Sequence, residues 1–166
     1  LAEALGAIAS AQGLPGALRL DVLGGLLRSA RSIPVIRILG RACAWEGDDG
    51  VPTVPEAAAA FGARCREVGD RFAGMVQHAD YADPEDQDVL LEAIGRLAGG
   101  AFLGASPAEA DAVRRRLVTC LFDGLTHGHR RARESLQALA ASSRLPGPLR
   151  AEIRERLEGI RGPGKA

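Results

Sequence analysis

Apolar residues recur one helical turn apart through most of this chain. Leu18, Val22 and Leu26 follow that spacing, and Phe61, Cys65, Val68, Phe72 and Met75 form a longer stripe. Val89, Ala93, Ile94 and Leu97 make another. Val113, Leu117, Leu121 and Leu125 make a broad one, with Val118 and Phe122 beside it, and Leu149, Ile153, Leu157 and Ile160 make the last. A period near 3.6 with no sustained alternation is the signature of amphipathic helices and not of half-buried strands. The pattern predicts eight helices, over 2–12, 16–31, 34–45, 55–78, 85–98, 107–126, 129–143 and 147–161, with 47–54 as the most obvious loop.

The punctuation agrees. Pro15, Pro34, Pro55, Pro84, Pro107 and Pro146 each precede or open a helical stretch, where the missing N–H has no intrahelical partner to lose. Ser106-Pro107-Ala108-Glu109 is the clearest start, with Ser as N-cap and Glu three residues on, and Asp83-Pro84-Glu85-Asp86 is a close second. Gly99-Gly100 and Gly128 read as helix stops in a positive-φ conformation. The predicted fold is therefore all-α: antiparallel helical hairpins, set either as a HEAT-like right-handed array or as a compact multi-helix bundle. A single helical domain over 1–161 is expected, with 162–166 as a flexible tail. Because the chain opens on Leu1, a fragment of a larger protein is expected.

One stretch repeats. Leu5, Ala7 and Ala9 are echoed by Leu136, Ala138 and Ala140. Leu14-Pro15-Gly16 is echoed by Leu145-Pro146-Gly147, and Leu18-Arg19 by Leu149-Arg150. Each copy describes a helix, a Leu-Pro turn and a second helix. The Leu before Pro is steered out of the α region, so it ends the first helix and is placed to plug the gap between the two. The copies are far enough apart to span three units of HEAT or armadillo length. The other reading is of two unrelated hairpins with the same turn chemistry. This wording, at 136–152 and again at 5–21, resembles HEAT/armadillo-like helical repeats. In particular it resembles the Leu-Pro-x-x-Leu-Arg units of repeat-containing type III effectors from plant-pathogenic bacteria, such as the SKWP and XopP groups. The resemblance implies a protein delivered from the bacterium into a host cell, where it binds host proteins through helical surfaces.

Composition narrows the core. Hydrophobic residues make up 46 % of the chain but aromatics only 4 %, so Ala, Leu and Val must fill the interior and helices must pack closely. Basic and acidic residues number 21 each, for a formal net charge of zero. That balance argues against a global attraction to nucleic acid or to anionic membrane. No apolar run approaches a membrane span. All the basic residues but Lys165 are Arg, which with the Ala and Gly content reads as a GC-rich coding bias. Cys43, Cys65 and Cys120 are odd in number, widely spaced and set in apolar stretches. They read as buried thiols in a reducing, cytosol-like compartment and not as a disulfide or zinc framework.

Candidate chemistry is sparse. His127-x-His129 and His78-x-Asp80 sit at helix breaks, but two imidazoles in a loop need a third partner that only the fold supplies. Cys120 and His127 are too far apart on one helix for a direct hydrogen bond. No phosphate-binding glycine motif and no nucleophile elbow occur. No catalytic residue, metal ligand or cofactor is assigned. Charge is more informative. Residues 80–92 are acidic, while Arg114-Arg115-Arg116 and Arg130-Arg131-x-Arg133 are basic. If the two basic runs lie on one hairpin they form a patch, unless the acidic segments pair with them. Without interleaved aromatics a nucleic-acid partner is disfavoured. The expectation is a non-catalytic protein–protein interaction module, with Arg114, Arg115, Arg130, Arg131, Arg133 and Trp45 as binding residues and a protein, such as a host protein, as partner. The alternatives are a ubiquitin-ligase-like helical enzyme domain of an effector and an Arg-patch nucleic-acid binder.

Overall fold

A computed structural model describes Ala4 and residues 16–28, 32–44, 55–77, 83–101 and 103–160. Seven helices account for nearly all of them, and no strand occurs among the described residues. They are α1 (Gly16–Arg28), α2 (Ile33–Ala44), α3 (Pro55–Gln77), α4 (Pro84–Ala98), α5 (Pro107–Thr126), α6 (Arg130–Ala141) and α7 (Gly147–Ile160). Apart from Ala4, the helix expected over 2–12 lies outside the described residues, as do Trp45, the 47–54 loop and the 162–166 tail.

The expected starts of α4 and α5 are built as the sequence implies. The Asp83 side chain accepts from the Glu85 amide at 2.9 Å, with Pro84 behind it. Ser106 accepts from the Glu109 amide at 3.3 Å, and Glu109 accepts in return from the Ala105 amide at 2.9 Å. Gly128 ends the α5 turn at φ +86°. Gly99 departs from expectation, with φ −81°. Gly100 is not among the positive-φ glycines either. It is small for another reason: a Cβ there would lie 3.0 Å from the Cys43 carbonyl of α2.

The stripes mostly face one continuous core. Phe61, Cys65, Val68, Phe72 and Met75 are all buried, as are Leu117, Leu121, Leu149, Ile153 and Leu157. Leu145, in the turn between α6 and α7, is buried too. One stripe is rotated from its expected position. In α1 the buried ridge runs through Arg19, Leu23 and Leu26, and Leu18 is 52 % exposed. In α4 Ala93, Ile94 and Leu97 are buried as expected, Leu90 and Leu91 join them, and Val89 lies at the margin.

Helices pack on their neighbours and next neighbours in the chain. α2, α4 and α6 lie side by side, α1, α3 and α5 form a second row, and α7 closes on α6. α4 is the hub, packed against α2, α3, α5 and α6. Small residues set these distances. A Cβ on Gly40 would stand 3.0 Å from Ala93 Cβ, and one on Gly95 would stand 2.6 Å from Ser135 Cβ. On α3, a Cβ on Gly62 would collide with the backbone carbonyl of Gly104.

Two glycines of α3 should therefore respond in opposite directions. Gly62→Ala forces backbone apart and should cost about 1–3 kcal/mol in urea denaturation, the usual range for overpacking. Gly74 has nothing within 4 Å of an added Cβ, so Gly74→Ala should stabilise by about 0.5–1 kcal/mol through helix propensity.

Candidate functional site

The basic residues expected to form one surface patch are divided by the fold. Arg114 is not on the surface. It is 9 % exposed, and it donates from Nε to the Ala98 carbonyl at 3.2 Å and from Nη2 to the Gly100 carbonyl at 2.8 Å. Burial lowers its pKa from the ordinary arginine value, but a guanidinium stays charged throughout the physiological range. Arg114 thus caps the C-terminal end of α4. Arg115 is exposed and bridges Asp111 of its own helix, at 3.1 Å, to Glu152 of α7, at 3.0 Å. Arg116 pairs with Asp70 of α3. Arg130 and Arg131 both bond Glu134, at 2.7 and 2.8 Å, while Arg133 makes no ion pair among the described residues. Arg130, then Arg131, holds the Glu134 carboxyl below its ordinary range. This pairing is present at neutral pH and is lost as pH falls through the lowered value. Four of the five arginines expected on one contact face therefore serve three different contacts, and the fifth, Arg133, is half-buried.

The thiols are poor nucleophiles. Cys43, Cys65 and Cys120 are free and buried. Burial raises the pKa of Cys65 well above the ordinary thiol value, with Cys43 adding to the effect, and burial raises that of Cys120 with help from Asp123. The reactive thiolate is disfavoured in both cases.

The histidines are better placed. After α5 the chain turns through Gly128. The His127 amide donates to the Asp123 carbonyl at 3.2 Å, the Gly128 amide to Leu125 at 3.0 Å and the His129 amide to Gly124 at 3.0 Å. This closed turn brings both imidazoles to one cleft of about 460 Å³, between the end of α3, the start of α4 and the end of α5. Met75, Val76, Leu90 and Leu91 give it apolar walls, and Gln77, Gln87 and Asp123 join the histidines at its polar edge. His127 Nδ1 lies 2.7 Å from the Asp123 carbonyl. His129 Nδ1 lies 3.2 Å from Asp88 Oδ1 of α4, and its side chain is only 15 % exposed. The volume falls within the range of small-ligand pockets.

Asp88 and the cleft walls were not legible in the sequence. Asp88 is 41 residues from His129, so no local spacing links them. The one signal available was a His-x-His interrupted by a turn-forming Gly. Among the described residues no group of three or more His, Cys, Asp and Glu could hold a metal ion, and His78 and Asp80 lie outside those residues. No protein-family model, curated protein or solved structure matches this chain.

Arg114→Met keeps the aliphatic stem but leaves two buried carbonyls without a donor, and should cost about 1.5–3 kcal/mol in chemical denaturation. Arg131→Ala, on the surface, should stay within about 0.5 kcal/mol. A thiol reagent such as Ellman's should label all three cysteines quickly only after unfolding. Fast labelling of the folded chain at Cys120 would reopen the case for a nucleophile.

Proposed function

We propose that this chain is a non-catalytic protein-interaction module that seats a side chain of a partner polypeptide in the cleft between α3, α4 and α5. The observation that carries the reading is the cleft itself: an apolar floor of Met75, Val76, Leu90 and Leu91 beneath a polar rim. Anchor side chains at protein interfaces fill pockets of this kind. The cleft borders the Arg-rich hairpin 114–133 at its turn, so the contact stays on the segment that the charge pattern singles out. Arg130, Arg131 and Arg133 follow that turn but do not line the cleft, and Arg130 and Arg131 are held by Glu134. The packing of helices on neighbours and next neighbours supports an array-like scaffold, which offers such grooves along its rows.

The enzyme reading lacks support in the geometry. His129 has an orienting carboxylate, but no described nucleophile accompanies it in the cleft, and the thiols are buried. No helix among the described residues is long and apolar enough to cross a membrane. The setting, a bacterial effector acting on a host protein in a reducing compartment, rests on the Leu-Pro-x-x-Leu-Arg wording and on three unpaired thiols.

Burying one aliphatic or aromatic side chain is worth about 1.5–3 kcal/mol, or roughly tenfold to a hundredfold in affinity. Gln77→Cys adds a reactive thiol at the exposed rim, while the native cysteines stay buried. A benzophenone attached there should photocross-link a partner in host-cell extract. The same label on Glu155→Cys, on the exposed face of α7, should not. Cross-linking from position 155 alone would remove the cleft as the contact.

A further inference from the structure

We infer that the cleft selects a cationic amphipathic group: a partner side chain or side-chain pair with an apolar body and a Lys or Arg head. The inference rests on the reading of the cleft as a protein contact, and it specifies the chemistry of what enters.

The first argument is the proton inventory of the two imidazoles. A backbone carbonyl and a carboxylate accept hydrogen bonds and cannot donate them. His127 Nδ1 faces the Asp123 carbonyl, and His129 Nδ1 faces the Asp88 carboxylate. Both Nδ1 atoms must therefore carry the proton. In the neutral ring the remaining nitrogen, Nε2, is then a bare acceptor. The fold fixes the same tautomer twice, in two histidines that line one cleft.

The second argument is the sign of the surrounding field. α3 and α5 both end at the cleft, at Gln77 and Thr126, and helix C-termini carry partial negative charge. α4 begins there, but its positive end is offset by Asp83 at the N-cap and by Glu85 and Asp86 in the first turn. Asp123 lines the cleft directly, and Asp88 stands behind His129. Among the described residues no Arg or Lys lines the cleft, and Arg130 and Arg131, which follow His129 in the chain, are both held by Glu134. Among the described residues the rim thus carries an aspartate, two imidazole acceptors and two glutamine amides that can donate or accept, with no Lys or Arg, over an apolar floor. A Lys or Arg matches both features, because its alkyl stem lies along apolar surface while its head stays among polar groups. An acidic or purely aliphatic group matches only the floor or neither.

The test uses three small probes that share a body and differ in the head: phenylbutylamine, phenylbutanol and phenylbutyrate. Each is titrated into the chain while the Met75 methyl and the imidazole signals of His127 and His129 are followed by NMR. The amine should move all three sets of signals and bind about threefold to tenfold tighter than the alcohol, the range expected for exposed charge and helix-end effects. The acid should bind weakest. Asp123→Asn, at an exposed position, should remove most of the amine's advantage and leave the alcohol unchanged. Equal affinity for the three probes, preference for the acid, or an amine preference indifferent to Asp123→Asn would each overturn the inference. All three results leave the cleft as an apolar anchor site, and cross-linking from position 77 would still stand. Silence from every probe overturns the inference as well. If position 77 also fails to cross-link a partner, the interaction reading of the cleft falls with it.

Discussion

The close approach of α2, α4 and α6 is the constraint on which the remainder of the molecule depends. Gly40 meets Ala93 on one side of α4, and Gly95 meets Ser135 on the other. With so little side chain between them, backbones come near enough that larger residues at these positions must push helices apart. A core with few aromatics becomes workable in this way, since short distances let Ala, Leu and Val fill the space without voids. The same closeness has a cost at the helix ends. Carbonyls of the last turn lack intrahelical donors, and neighbouring elements shield them from water. Arginines meet the need in each helix of this row. Arg144 reaches the Ala44 carbonyl of α2 at 3.4 Å, Arg114 reaches Ala98 and Gly100 at the end of α4, and Arg154 reaches Ala140 of α6 at 2.8 Å.

That pattern changes how the composition is understood. The near absence of lysine reads, from counts alone, as a bias of coding. Arg114 shows a physical use for arginine: its planar fork bonds two carbonyls at once, from Nε and Nη2, which a single ammonium does with less geometric control. Arg156 gives another, with its guanidinium 3.7 Å from the centroid of the Phe122 ring. The bias of coding and the structural use are compatible, but only the second says why particular positions matter.

The fold class, most helix boundaries and most of the core were legible because they depend on local rules. A stripe such as Phe61 to Met75 encodes its own burial, and Asp83-Pro84 and Ser106-Pro107 encode their own caps. Leu145 was legible for the same reason, since the residue before proline leaves the helix and must go somewhere apolar. The rotation of α1 was not, because which ridge faces inward is decided by α2 and α3. Nor was the fate of the basic runs. Arg114, Arg115 and Arg116 are consecutive, so a helix points them in three directions about 100° apart. One turns toward α4, one toward α7 and one toward α3. Adjacency in sequence, which suggested a patch, is what disperses them in space.

The cleft follows from the same geometry at the opposite end of α4. α3 and α5 stop where α4 starts, and the turn at Gly128 puts His127 and His129 on the lining of the cleft. Gly124 brings α5 close to Leu91, whose methyl carbons would lie 2.9 Å from an added Cβ. The apolar wall is therefore an extension of the core to the surface, and not a separate patch. Polar groups at its edge then take their roles from what they are bonded to. Asp88 would be one more exposed acid of an acidic helix start, were it not for His129. With His129 against it, it fixes the hydrogen on Nδ1 and leaves Nε2 as the acceptor of the neutral ring. A site of this kind has no motif, because its parts come from three helices and its chemistry comes from their contacts.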